Sequence, residues 1–73
     1  MSEFYEGMAE VLEIDLEQVT STFELKNIDW NSLAIVSTIA LADECFDVLL
    51  NGRLLDACKT IGDIENLIAA KKD

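Results

Sequence analysis

Apolar residues recur at helical spacing in three separate stretches of a chain that contains no proline. Phe4, Met8, Val11 and Leu12 fall at i, i+4, i+7 and i+8, which places them on one helix face. Glu3, Glu6, Glu10 and Glu13 fill the opposite side. This spacing predicts a first helix from about Ser2 to Leu12 or Glu13, with Ser2 as a cap. A second helix is expected to start at Ser32, after the capping types Asp29 and Asn31, and to run to Phe46 or Asp47. Its expected apolar face is Leu33, Val36, Ile39, Ala40, Ala42 and Phe46, with Ala34, Ser37 and Thr38 turned elsewhere. Asn51-Gly52 signals a turn, and residues 53–58 suit one or two helical turns. Thr60 and Asp63 form a capping-box-like start for the last helix. Ile61, Ile64, Leu67 and Ile68 are its stripe, and Lys71 and Lys72 carry the sign favoured at its end. The expected fold is all-α, a small four-helix bundle of three main helices and one short one.

The stretch from Asp15 to Trp30 contains five large apolar residues: Leu16, Val19, Phe23, Leu25 and Ile28. A solvated linker has no use for so many. A loop packed along the core is expected instead.

With 73 residues the chain has room for one domain, 1–73, and too little for an enclosed substrate cleft of its own. Fifteen acidic residues oppose five basic ones, for a net charge of −10. Nucleic acid and anionic membranes would repel such a surface, whereas a basic protein patch would attract it. No apolar run reaches the roughly 20 residues that span a bilayer. The opening residues, Met1 to Glu6, lack the basic and apolar regions of a secretory signal. We expect a cytoplasmic monomer in which Cys45 and Cys58 are small, buried, reduced side chains.

Histidine is absent. That removes the usual general base and the commonest zinc ligand, so neither a catalytic residue nor a metal site is expected. The acidity does not fit a calcium loop, since no stretch has the ligand spacing D-x-[DN]-x-[DN]-G-x₅-E.

Asp29-Trp30-Asn31-Ser32-Leu33 lies at a loop-to-helix junction midway along this acidic chain. Phe46-Asp47-Val48 and Thr60-Ile61-Gly62-Asp63-Ile64 follow downstream. Taken in this order over nearly the full length, these residues resemble an acyl carrier protein. In that family an Asp-Ser-Leu triplet presents the serine that bears a 4′-phosphopantetheine arm taken from coenzyme A. The matching triplet here is Asn31-Ser32-Leu33, so the resemblance implies Ser32 as the attachment residue. It also implies a phosphopantetheinyl transferase as one partner, and acyl-activating or acyl-transferring enzymes with basic docking patches as others. Docking candidates are Asp29, Trp30, Asn31 and Leu33 around the serine, with Asp43, Glu44 and Asp47 further along. Family members often shelter the acyl chain between the second helix and the third and fourth. By that analogy Val36, Ile39, Ala40, Leu54, Leu55, Ile61 and Leu67 are the candidate lining.

Two departures from the family pattern are visible. Asn31 keeps the size of the family's aspartate but not its charge, and Asp29 is the nearest carboxylate. The first two turns of the second helix are neutral, where fatty-acid carriers are acidic. Both features imply a specialised carrier of a lipid or secondary pathway. A peptidyl or aminoacyl carrier is one alternative reading, and an unmodified acidic interaction module is the other. Ser32 as a plain helix cap is the structural alternative to Ser32 as an attachment site.

Overall fold

A computed structural model describes residues 2–71, with the side chain of Ser2 outside the described part. Among the described residues there are four α-helices: α1 (Ser2–Leu12), α2 (Ser32–Phe46), α3 (Gly52–Asp56) and α4 (Ile61–Lys71). Two short 3-10 turns, Leu16–Gln18 and Leu25–Asn27, lie between α1 and α2. The element order agrees with the helical bundle expected from the spacing. The cap expected from Ser2 and the charge expected from Lys72 fall outside what is described. None of the described helices is long and apolar enough to cross a membrane.

Phe4, Met8 and Leu12 are buried, as their helical spacing requires. Burying a side chain of that size stabilises the fold by roughly 1.5–3 kcal/mol. They pack with Leu25, Leu55, Ile61, Ile64 and Ile68 into one core, and the Phe4 and Phe46 rings lie 5.5 Å apart. Glu13 ends α1 in the left-handed region at φ 57. The Glu13 and Ile14 N–H groups then donate back to the carbonyls of Glu10 (3.3 Å) and Ala9 (3.0 Å), a Schellman ending.

The long connection is packed, because α4 holds it. Leu25 N–H donates to Lys59 O (2.8 Å), Ile61 N–H to Phe23 O (3.1 Å) and Gly62 N–H to Ser21 O (2.9 Å). Glu65 adds a polar clamp, accepting from Tyr5 Oη (2.6 Å) and Ser21 Oγ (2.7 Å). Val19 and Leu25 are buried, and Phe23 and Ile28 are half-buried. Leu16 departs from the expectation, being 51% exposed, since its 3-10 turn runs over the surface.

The expected apolar face of α2 is corrected. Its buried residues are Ala34, Ile35, Thr38 and Ala42, while Leu33, Val36 and Ala40 are exposed. The hidden stripe is made mostly of small residues at i, i+4 and i+8. Small side chains let α1 approach closely, and the large Phe4 and Met8 of α1 then fill the space between the helices. Gly7 marks the tightness of this contact, since a Cβ there would lie 2.5 Å from Leu41 Cδ1. Thr38 is tolerated in the core because its hydroxyl donates to Ala34 O at 2.8 Å.

Asn51 is a cap as well as a turn residue. Its Oδ1 accepts from the N–H groups of Arg53 (2.8 Å) and Leu54 (3.3 Å), which starts α3 directly at Gly52.

Candidate functional site

The start of α2 is built by Asn31. Its backbone is extended (φ −117, ψ −176), and its Oδ1 accepts from Ala34 N–H at 3.0 Å, which makes it the N-cap. Its Nδ2 donates to Asp29 Oδ2, also at 3.0 Å. The amide is therefore used at both ends, once on the helix and once on the Asp29 carboxylate.

This arrangement corrects the reading of Ser32 as a cap. Ser32 is the first residue of the helix, one position past the cap, and its exposed side chain makes no hydrogen bond among the described residues. The first N–H groups of α2 lie at this end of the helix, where negative charge is favoured. A hydroxyl left free at such a place suits acceptance of a phosphodiester.

Trp30 is half-buried and packs against the core. Its indole N–H donates to Leu55 O at 3.0 Å and so fastens the entry loop to α3. Leu33, just past the serine, is 74% exposed. Asp29, Trp30, Asn31 and Leu33 are thus gathered at the serine. Asp43, Glu44 and Asp47 are exposed at the opposite end of α2. At 1.5 Å per residue, Asp43 lies roughly 16 Å along the axis from Ser32. Asp47 closes the helix in the left-handed region (φ 56, ψ 42), with its N–H on Asp43 O at 2.9 Å.

The candidate acyl-pocket residues do not share one environment. Val36 is 61% exposed and Ala40 is exposed, both facing away from the core. Leu55 and Ile61 are completely buried, and Ile39 is half-buried against the core. Leu54 and Leu67 line a shallow cleft with Cys58, Lys59 and Asp63.

Thr60 and Asp63 form the reciprocal box at the start of α4. Asp63 N–H donates to Thr60 Oγ1 (3.2 Å), and Asp63 Oδ2 accepts from the N–H groups of Thr60 (3.2 Å) and Lys59 (2.9 Å). The Lys59 and Thr60 N–H groups hold the Asp63 carboxyl below its ordinary range. Burial and then Asp63 push the Cys58 thiol up to about 11. Burial, followed by Glu3 and Glu44, also raises Cys45. Neither thiol has the electropositive surroundings of a reactive cysteine. Among the described residues, no group of three acidic or cysteine side chains is placed to hold a metal ion.

The family model described as phosphopantetheine attachment site matches residues 3–68. The chain belongs to that family, whose members carry covalently attached 4′-phosphopantetheine. Comparisons with curated proteins and with solved structures found no match.

Proposed function

We propose that the protein is an acyl carrier whose arm is attached to Ser32. The observation that carries this reading is the division of labour at the start of α2. Asn31 satisfies the helix, so the Ser32 hydroxyl is exposed and free to react. In the modification, Ser32 Oγ forms a bond to the phosphorus nearest pantetheine in coenzyme A. The pyrophosphate bond breaks, adenosine 3′,5′-bisphosphate leaves, and the transferase takes the serine proton. When attached, the arm supplies a thiol that holds an acyl group as a thioester.

Asp29 is the recognition carboxylate in this reading. The first turn of α2 has no acidic residue, and Asp29 is the nearest to Ser32 in sequence. Asn31 holds it in place, and an aspartate at position 31 would set two carboxylates against each other. The acyl-handling enzymes meet an apolar surface beside the serine, formed by Leu33 and Val36. Their basic residues meet Asp43, Glu44 and Asp47 at the far end of α2. The pathway is a specialised lipid or secondary one, and the site of action is the cytoplasm. A peptidyl or aminoacyl load would use the same arm, and the charge of −10 favours an acyl load.

The test is intact mass after incubation with coenzyme A, magnesium and a promiscuous phosphopantetheinyl transferase. The natural chain should gain one phosphopantetheine, and Ser32→Ala should gain none. No gain by the natural chain, while a control carrier is modified, would favour the unmodified interaction module.

A further inference from the structure

Resting on Ser32 as the attachment residue, we propose that the open cleft between the loop leading to α2 and the α3–α4 junction is the resting place of the pantetheine arm, and that it favours loads ending in a carboxylate. The cleft has a volume of about 1070 Å³ and is lined by Leu25, Ile28, Trp30 and Cys58, with Lys26 and Lys59 among its charged residues. Asp29 and Trp30 belong to it and stand immediately before the Ser32 segment. Two residues span at most about 7 Å, so the cleft opens beside the serine, well within reach of a flexible arm.

The alternative place for the arm, among α2, α3 and α4, offers less room: Leu54 and Leu67 line a shallow cleft of about 400 Å³. Val36 and Ala40 face outward there, and Leu55 and Ile61 are closed into the core. By contrast, the loop cleft has fixed walls. Trp30 is held by Leu55 O, and the Lys59 backbone is held through Leu25 N–H on one side and Asp63 Oδ2 on the other. An aromatic face with aliphatic neighbours suits the methyl-bearing, amide-containing arm.

The charges around the cleft are not equivalent. Lys26 pairs with Glu24 at 3.0 Å, and Asp29 is held by Asn31 at the Ser32 end. Lys59 forms no salt bridge among the described residues, although its charge also acts on the Asp63 carboxylate, and it sits where the α3–α4 junction is bonded to Leu25. An anionic end on the load would gain a charge-assisted contact there. Cys58 in the same cleft is a weak nucleophile toward the load, because burial and Asp63 push its thiol up to about 11 and the thiolate is the attacking form.

The test compares apo, pantetheinylated, butyryl-loaded and succinyl-loaded protein, prepared with the transferase and the matching coenzyme A thioesters and checked by intact mass. The readouts are the Trp30 indole and the Leu25 and Lys59 backbone amide resonances. Attachment should shift all three signals. Succinyl should shift Lys59 more than butyryl does, and Lys59→Gln should erase that difference. Shifts confined to residues 31–36 after confirmed attachment would overturn the cleft proposal while leaving Ser32 as the site. Equal effects of the two loads would overturn the preference for an anionic end. Absence of any mass gain would overturn the attachment reading itself, and the cleft proposal with it.

Discussion

Replacing Asn31 and Ser32 one at a time should separate helix capping from arm attachment. Asn31→Ala removes the acceptor for Ala34 N–H. Loss of an N-cap costs about 0.5–2 kcal/mol. Ala34 is 8% exposed, so water does not readily replace the lost acceptor, and the upper half of that range applies. The bond to Asp29 is exposed and adds only tenths of a kcal/mol. We expect a loss of about 1–1.5 kcal/mol, which for a domain of this size lowers Tm by roughly 5–10 °C. Ser32→Ala removes an exposed hydroxyl with no partner, and alanine is the better helix former. Its stability should stay within about 0.5 kcal/mol of the natural chain. Thermal and urea unfolding followed by circular dichroism would measure both. A Ser32→Ala loss as large as that of Asn31→Ala would show that the serine caps the helix, and would refute the argument that its hydroxyl is free.

Gly62→Ala should cost about 1–3 kcal/mol in urea unfolding, as an overpacking change. The added Cβ would lie 2.8 Å from the Ser21 carbonyl oxygen, a backbone atom that cannot rotate away. Asp47→Gly should raise Tm slightly, by up to about 1 kcal/mol in stability, because glycine relieves the left-handed strain at φ 56. The Asp63 carboxyl titrates lower in the folded chain than in the unfolded one. Its contribution is therefore present above the unfolded carboxylate pKa and is lost as pH falls through the folded value. Stability against pH should fall less steeply on the acid side in Asp63→Asn, and an unchanged slope would refute the assignment.

Much of the layout is legible in local sequence. Helix starts and stops are decided by groups within about four residues of each other. Asn31 reaches Ala34, Thr60 exchanges bonds with Asp63, and Asn51 serves Arg53 and Leu54. The face of α1 is also legible, because its apolar residues occupy one side and glutamates the other. Asn31 and Ser32 are both capping types, however, and local chemistry alone does not choose between them. The backbone geometry does, with the helix beginning at Ser32 and Asn31 extended before it.

The sequence alone thus determines four helical segments, a strongly acidic surface and a serine at the entrance to the second helix. Tertiary structure decides which side of α2 is hidden. That helix is apolar on most sides, so hydrophobic burial alone does not orient it. The choice falls to volume, because the large buried Phe4 and Met8 of α1 are matched by the small buried stripe Ala34, Thr38 and Ala42. Leu33 and Val36 are left outside beside the serine as a consequence. The cleft likewise depends on contacts between distant segments, since its walls are joined by bonds such as Leu25 to Lys59 and Trp30 to Leu55.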